Sequence, residues 1–486
     1  MNQPRGLSDE AASRVDAVVV GGGVAGLVAA HLLVEGGALP VVLEATDQCG
    51  GYLAKGRLAA EGAEVWVDVG AESFAARSGV VGSLVEMLGL EIVSPAALSA
   101  WGYTPIGRRR ARAFPLPAAG VLGIPGHPWA ADTRRAIGLL GALRASLDAV
   151  LPAERVDASN LAALVRSRLG TRVLARLVTP VAGGVHSTDP ALLDVDAVAP
   201  GLLAAYRRTG SLTGAIRALR AQAPAGSAVR GIPGGMNQLV TALERSIEAS
   251  GGEIRRATSA LTLRRDGDEW LVRTGPGQVL RTERVVLAAS ARATQALLTD
   301  LVDIGDAEPA RGTDIRLVTL LVRSAALGAV PRGTGILVAP GTSVGAKAST
   351  HASAKWPWLR SRLDESFGED VHVVRFSYGR GGAAQPDSAT APADDALVAQ
   401  AVADLGELYG VMDVQILSSL VTAWDDALAP PTPASRERVA RLLADVDALA
   451  DRGLPGLTVT GAWVAGTGLA AVVPHAQNSA RRLNVA

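Results

Sequence analysis

The stretch Asp16–Gly26 (DAVVVGGGVAG) contains a short apolar run that ends in three consecutive glycines, with a fourth glycine at position 26. A helical pattern follows over Leu27–Glu35, and a second apolar run, Val41–Leu43, ends in the acid Glu44. Strand, glycine turn, helix, strand and acid, in that order, predict the βαβ unit that binds a dinucleotide pyrophosphate. A glycine-rich turn without a ligand is the alternative, but the flanking elements favour the dinucleotide site.

The glycines of this turn have separate physical roles in such a unit. Gly21 permits the tight turn, Gly23 lets the backbone approach phosphate, and Gly26 lets the helix pack close to the strand. The start of the helix offers amide donors and the positive end of its dipole, and a carboxylate at Glu44 can accept the ribose hydroxyls. The residues expected to bind the cofactor here are Gly21, Gly22, Gly23, Val24, Ala25, Gly26, Glu44 and Ala45.

Composition excludes several other functions. The 486 residues include 47 Lys plus Arg and 47 Asp plus Glu, so the formal net charge is zero, which argues against a nucleic-acid partner. Hydrophobic residues make up 48% and charged residues 19%, as in a packed protein rather than a disordered one. The single cysteine, Cys49, excludes a disulfide framework, and the six histidines are too scattered to predict a sequence-local metal site.

The chain shows no membrane-spanning or secretory pattern. The longest apolar candidate, Leu317–Val330, is interrupted by Arg323, and the first residues are polar and include acids. A cytoplasmic location is therefore expected. The apolar stretch over residues 116–150 leaves peripheral contact with a membrane surface open.

Further glycine motifs select the kind of dinucleotide. Asp47–Gly51 ends in a Gly-Gly pair, Asp68–Phe74 has the pattern DxGxxxF, and Gly461–Gly468 carries a second glycine turn. Together these motifs resemble the flavin-dependent amine oxidase superfamily, which implies FAD. Cys49 is not in the tail position from which amine oxidases attach flavin covalently, so the FAD is expected to be non-covalent. Carried over by matching position, the resemblance adds the cofactor-binding residues Gly50, Gly51, Gly70, Ala71, Glu72, Ser73, Ala260, Trp424, Gly466, Thr467, Gly468 and Leu469. For Trp424, a core tryptophan is the alternative.

Within that superfamily, the middle of the chain is similar to the protoporphyrinogen and coproporphyrinogen oxidase family. The similarity lies in Leu177–Pro190 (LVTPVAGGVHSTDP), Phe114–Pro125, Pro233–Leu243, Lys355–Pro357 and Arg375–Gly379. It implies oxygen-dependent oxidation of coproporphyrinogen III to coproporphyrin III in haem biosynthesis, with release of hydrogen peroxide. The alternatives are a protoporphyrinogen oxidase, another amine oxidase-type oxidoreductase, and a degenerate porphyrin-binding homologue that hands porphyrin to a ferrochelatase.

The order of motifs predicts an interleaved fold of the α/β class. A Rossmann-type FAD-binding domain is expected to take its strands from residues 14–95, 226–300 and 431–486. A mostly helical insertion over residues 96–225 and a mixed sheet over residues 301–430 would form the substrate domain.

The proposed substrate carries four propionates, and buried carboxylates need cationic partners. Matching positions give Arg77, Lys355 and Arg375 as substrate-binding residues, with Arg77 and Lys355 expected first; solvated surface cations are the alternative. No catalytic base is assigned, because no Ser-His-Asp or paired-carboxylate pattern is visible. Gln48 and Tyr52 stand where the family usually carries basic residues for the pyrophosphate, and Lys55 supplies a cation three positions later.

Overall fold

The computed structural model describes residues 12–76, 79–106, 110–117, 120–154, 156–222, 229–303, 312–379, 392–428 and 432–484. Its strands are β1 (Ser13–Arg14), β2 (Ala17–Val20), β3 (Pro40–Leu43), β4 (Lys55–Ala60), β5 (Ala63–Asp68), β6 (Phe74–Ala75), β7 (Ala100–Pro105), β8 (Ala111–Pro115), β9 (Gly120–Val121), β10 (Ile124–Pro125), β11 (Val229–Arg230), β12 (Glu253–Arg255), β13 (Ala260–Asp266), β14 (Glu269–Thr274), β15 (Val279–Thr282), β16 (Val285–Leu287), β17 (Thr313–Arg323), β18 (Gly335–Val338), β19 (Ala348–His351), β20 (Val371–Tyr378), β21 (Gln415–Leu428) and β22 (Leu457–Val459).

The helices are α1 (Val24–Glu35), α2 (Val80–Met87), α3 (Ala131–Ser146), α4 (Leu161–Leu169), α5 (Thr171–Val173), α6 (Thr179–His186), α7 (Val195–Val198), α8 (Leu202–Thr209), α9 (Leu212–Gln222), α10 (Asn237–Ala249), α11 (Ala291–Leu298), α12 (Ala325–Gly328), α13 (Ala352–Lys355), α14 (Pro357–Phe367), α15 (Asp394–Tyr409), α16 (Pro433–Asp447), α17 (Ala462–Ala465) and α18 (Leu469–Asn484). Short 3₁₀ turns cover Leu147–Ala149 and Ala450–Arg452, and a π-helical turn covers Leu174–Val178.

A parallel sheet in the order β12-β3-β2-β16-β22 joins strands from the N-terminal, middle and C-terminal parts of the described chain. Its inner strands β3, β2 and β16 are short and wholly apolar because both faces are covered. Ala17 and Val19 pack with α1, α10 and α18 on one face, whereas Val18 and Val20 pack against the antiparallel sheet β13–β15 on the other. The predicted α/β class is confirmed.

The region after residue 96 begins with four strands rather than helices: β7 pairs with β8 and joins β18, and β9 pairs with β10. Helices then follow from α3 to α9 around a core of their own. α4 ends at Leu169, because the next residue, Gly170, has a φ of +88°, outside the helical region. α3 likewise has a break at Gly138.

A mixed sheet in the order β21-β17-β20-β19-β18-β7-β8 forms the second part of the described structure. Its longest fully flanked strand, β17, lies second from one edge, is buried along most of its length and pairs antiparallel with β20 and β21. This pairing places Arg375 beside Thr319 and Trp424 beside Ile315, so that two predicted site residues lie on strands that flank the same neighbour. The exact domain boundaries stay a prediction.

Candidate functional site

The glycine turn after β2 is too tightly packed for a side chain at two positions. Gly21 has a φ of +106°, and a Cβ there would lie 2.7 Å from the carbonyl oxygen of Ala288. A Cβ on Gly26 would lie 1.9 Å from the carbonyl oxygen of Gly21. Both distances are well below van der Waals contact, so this turn requires glycine at both positions.

The same turn leaves open space on one side. No atom lies within 4 Å of a Cβ built on Gly23, and α1 begins at Val24 with no side chain capping its first amides. Gly50 donates its N–H to the carbonyl of Gly22 at 2.9 Å, and a Cβ on Gly51 would be 3.6 Å from Gly23 Cα. Uncapped amides beside an open glycine surface form the donor set that binds a pyrophosphate. The residues present therefore fit a dinucleotide cofactor.

Glu44 is oriented towards this turn by three hydrogen bonds. Its Oε2 accepts the N–H of Gly22 at 2.8 Å, and its Oε1 accepts the N–H and the hydroxyl of Thr46, each at 2.8 Å. A carboxylate has about four lone-pair positions, so this one can still accept a hydroxyl. The Thr258 N–H donates to the Glu44 carbonyl at 2.7 Å, which brings Ala260, at the start of β13, near the same end of the site.

The Gly70–Ser73 segment packs against the chain that follows the Gly-Gly pair. The Ala71 N–H donates to the Tyr52 carbonyl at 2.8 Å, and a Cβ on Gly70 would lie only 2.0 Å from that oxygen. Trp424 donates its indole N–H to the carbonyl of Val69 at 2.9 Å. These contacts join the chain after the Gly-Gly pair, the segment expected to line the flavin, and β21.

The C-terminal glycine turn lies at the same edge of the parallel sheet. β2 and β22 both pair in parallel with β16, so their carboxyl ends share one edge, and ligands of such sheets bind there. Gly466 and Gly468 have φ of +96° and +97°, and α18 begins directly after them at Leu469. The predicted cofactor-binding residues that are solvent-exposed are Ala45, Gly51, Gly466, Thr467 and Gly468.

Glu72, in the Gly70–Ser73 segment, is part of a buried cluster of charged side chains. Glu72 forms a close ion pair with Lys355 on α13 and a second pair with Arg375 on β20, whose Nη2 is 3.1 Å from Glu72 Oε2. The three side chains are only 12–15% exposed. Burial opposes ionisation of Glu72, but the two cations outweigh it and lower the pKa of its carboxyl.

Arg375 also holds the backbone of this segment. Its Nη1 donates to the carbonyl oxygens of Asp68 at 3.0 Å and Gly70 at 2.9 Å. A guanidinium can satisfy two carbonyls and a carboxylate together because its donors diverge in one plane. The structure thus brings together Lys355, Arg375 and Glu72, two of them expected at the substrate and one at the flavin.

Asp68 connects the same segment to α10. Its Oδ1 accepts the Met236 N–H at 2.9 Å at the start of that helix, and a Cβ on Gly235 would be 2.8 Å from the same oxygen. Burial raises the pKa of the Asp68 carboxyl to about 7, against the opposing effect of Arg375.

We expect the free energy of unfolding of Asp68→Asn to rise relative to that of the wild type as the pH rises from about 4 to about 7. The Asp68 pKa is higher in the folded protein than its usual 3.8, so over this range the folded state binds more protons and wild-type stability falls with rising pH. Asparagine does not titrate and keeps an acceptor for the Met236 amide. Melting temperatures across this pH range test the prediction, with the exposed Asp47→Asn as control. A wild-type-to-variant difference that does not change with pH would contradict it.

The Leu177–Pro190 stretch forms the end of the π-helical turn, α6 and a loop that begins at Ser187, whose φ is +52°. The Ser187 hydroxyl accepts a close hydrogen bond from Lys347, a lysine that is only 1% exposed. Lysine is rarely buried to this degree without polar partners. The contact ties the loop to the β18–β19 region of the mixed sheet, and sequence reasoning missed it.

Arg77, the remaining predicted substrate residue, lies outside the described residues. Across the described part of the chain, no group of three or more His, Cys, Asp or Glu side chains is placed to hold a metal ion. None of the helices in the described ranges is long and apolar enough to cross a bilayer.

Comparison with known proteins identifies the family. The family model described as flavin containing amine oxidoreductase matches residues 24–484. The coproporphyrinogen III oxidase of Mycobacterium tuberculosis is 30% identical over 467 residues, which is 94% of each chain. That of Bacillus subtilis is 23% identical over 464 residues, covering 93% of this chain and 94% of the relative.

Solved structures show the same fold. A crystal structure assigned as a protoporphyrinogen oxidase, from Exiguobacterium sp. 255-15, has a TM-score of 0.77 at 22% identity, with 97% of this chain and 99% of that chain covered. The cyclohexylamine oxidase of Brevibacterium oxydans has a TM-score of 0.61 at 15% identity, with 97% and 99% covered. The glycine turn after β2, the sheet topology and the family match over nearly the whole chain agree. This protein therefore belongs to the flavin containing amine oxidoreductase family and is a flavin-dependent oxidoreductase.

Proposed function

We propose that the protein oxidises coproporphyrinogen III to coproporphyrin III with FAD as cofactor and oxygen as electron acceptor. The observation that carries this proposal is the 30% identity, over 94% of both chains, to an enzyme named coproporphyrinogen III oxidase. The glycine turn after β2 supports FAD as the cofactor, because it offers a site for a pyrophosphate and holds Glu44 for the adenosine ribose.

The FAD is proposed to be non-covalent. Cys49, the one cysteine of the chain, is buried with its Sγ 2.7 Å from the position of a Cβ on Gly22, on the protein side of the turn. Burial raises the pKa of the Cys49 thiol to about 12, so it stays protonated and unreactive at neutral pH.

Bound flavin supplies the acceptor for two electrons and a proton from a reduced tetrapyrrole carbon. Conversion of the porphyrinogen to the porphyrin removes six hydrogens in three two-electron cycles, and three O₂ are reduced to three H₂O₂. The chain's own part is to bind the cofactor along Gly22–Gly26, to hold Glu44 for the ribose, and to fix the Gly70–Ser73 segment through Arg375. No residue is assigned as catalytic base.

The Glu72 cluster is proposed to attract the substrate propionates. Lys355 and Arg375 together carry two positive charges and Glu72 one negative charge, so the cluster has a net positive charge. A charge in a site largely removed from water acts more strongly than one at the surface. Lys355, Arg375 and Arg77 therefore remain the proposed substrate-binding residues.

We expect Lys355→Gln to raise KM for coproporphyrinogen III by about tenfold, with a smaller effect on kcat. The reason is the loss of one charge-assisted contact, which contributes about 1.5 kcal/mol. Steady-state kinetics of FAD-loaded protein test this. Arg264→Gln, which removes an exposed cation on β13, is the control and should leave KM unchanged. Equal KM values for Lys355→Gln and the wild type would show that Lys355 does not bind the substrate.

The reaction itself is tested with purified FAD-loaded protein. We expect porphyrin fluorescence to rise faster than by autoxidation, with three H₂O₂ formed per porphyrin. A rate equal to autoxidation would refute the proposed activity. Faster turnover of protoporphyrinogen, or turnover of amines only, would reassign the substrate. A cytoplasmic location, peripheral membrane contact and transfer of product to a ferrochelatase stay predictions.

A further inference from the structure

A small cavity lies at the Glu72 cluster, on the face of the mixed sheet that carries Arg375. Its volume is about 20 Å³, and its lining includes Asp68, Glu72, Thr319, Trp356 and Arg375. A buried water molecule needs a cavity of about 10–15 Å³ and two to four polar partners. The cavity therefore has room for one water and for no larger ligand.

Two residues that line this cavity have a buried polar atom with no hydrogen-bond partner among the described residues. The atoms are the hydroxyl oxygen of Thr319 and the indole nitrogen of Trp356, and the two residues are only 1% and 3% exposed. Burying a polar group without a partner is unfavourable, so most such groups bond to protein or to ordered water. An indole N–H only donates, whereas a hydroxyl also accepts, so one water can accept from Trp356 and donate to Thr319.

The fold brings both residues to the cavity and limits their movement. Thr319 lies directly opposite Arg375 in the antiparallel β17–β20 pair, and residues opposite one another have their side chains on the same face of a sheet. The Trp356 ring packs on Gly231, where a Cβ would lie 2.6 Å from the ring. The Nζ of Lys355 lies 5.2 Å from the centre of the same ring. The indole is therefore fixed by its neighbours.

A carboxylate can serve as the third partner of a water in this cavity. Asp68 and Glu72 both line it, and a carboxylate offers about four acceptor positions. Asp68 uses one of these positions for the Met236 N–H, at 2.9 Å. A water that accepts from Trp356 and donates to Thr319 and to a carboxylate makes three hydrogen bonds, the number usual for buried water.

We propose that this cavity is a binding site for one water molecule, which joins Trp356 and Thr319 to the carboxylates beside Arg375. Arg375 holds the carbonyls of Asp68 and Gly70. The water extends this hydrogen-bond network to β17 and to the residue between α13 and α14. It is thus a positioning element that supports the Gly70–Ser73 segment.

A high-resolution crystal structure of the FAD-loaded protein tests the site directly. It should show one water within about 3.2 Å of both Trp356 Nε1 and Thr319 Oγ1. A well-ordered Trp356 indole with no water beside it would overturn the proposal.

Thr319→Val gives an independent test, because it replaces the hydroxyl by a methyl group of about the same size. If water bonds to the hydroxyl, valine removes a hydrogen bond, and we expect the protein to unfold at a lower urea concentration than the wild type. A hydroxyl without a partner predicts the opposite, because its replacement removes the cost of burying it. An unfolding midpoint equal to or above that of the wild type would therefore contradict the proposal.

Thr282→Val is the matched control. Thr282 is fully buried on β15, and its hydroxyl donates to the Arg284 carbonyl at 3.3 Å, so this variant should also unfold at a lower urea concentration. Neither measurement depends on the substrate. A protein that holds this water but does not turn over coproporphyrinogen refutes the proposed reaction alone.

Discussion

Gly26→Ala is expected to abolish useful binding of FAD, with a loss of affinity of at least about 100-fold, equivalent to about 2.7 kcal/mol. The added Cβ would lie 1.9 Å from the carbonyl oxygen of Gly21, so the backbone of the turn or the start of α1 must move. Either movement displaces the amides that are proposed to bind the pyrophosphate. FAD titration of the purified apo-protein measures the loss directly.

The control for this substitution is Gly82→Ala, which is also within a helix. A Cβ on Gly82 would be 3.6 Å from Ile92 Cδ1, an ordinary contact, so this variant should bind FAD normally. Melting temperatures of both variants separate a local defect from unfolding. Wild-type FAD affinity in Gly26→Ala would show that the turn after β2 does not hold the cofactor.

Arg375→Met is expected to lower the free energy of unfolding by about 3 kcal/mol and to weaken FAD binding. The substitution removes the donors to the Asp68 and Gly70 carbonyls and leaves the buried Glu72 with Lys355 as its remaining cation. Breaking a buried ion pair on one side costs about 3–5 kcal/mol because the other charge stays desolvated. Urea unfolding of the apo-protein, together with FAD titration, measures both effects.

Arg316→Met on the neighbouring strand is the control. Arg316 pairs with Asp425 at 2.7 Å, but the Asp425 side chain is 64% exposed, and such pairs contribute at most about 1 kcal/mol.

Arg375→Lys separates two roles of Arg375. A lysine keeps the charge for a propionate but loses the planar set of donors, so a role in holding the segment predicts weak rescue of stability. Full rescue by lysine would show that charge alone matters.

The glycine turn and the strand and helix beside it could be predicted, because the sequence signals for these elements are local. A strand, a glycine turn and a helix follow one another over Ala17–Glu35, and Gly21 and Gly26 have steric reasons that the structure displays. The start of the final helix has no comparable local signal, because α18 begins at Leu469 and runs through Pro474, a residue that normally interrupts a helix.

The charge cluster could not be predicted because its members are distant in sequence. Glu72 and Lys355 are 283 positions apart, and no periodicity indicates that a carboxylate expected at the flavin would pair with cations expected at the substrate. The signal that could have found it is an acid in an otherwise apolar glycine segment, since a buried carboxylate needs a cation. Lys347 was missed for a similar reason, as its partner Ser187 lies 160 positions away.

The central claim, that coproporphyrinogen III gives its electrons to FAD on this protein, is tested most directly without oxygen. FAD-loaded protein is mixed anaerobically with a limiting amount of coproporphyrinogen III, while flavin and porphyrin absorbance are followed together. We predict that flavin reduction and porphyrin formation rise together, with three flavins reduced for each coproporphyrin formed. Flavin that stays oxidised in the presence of the porphyrinogen would contradict the account.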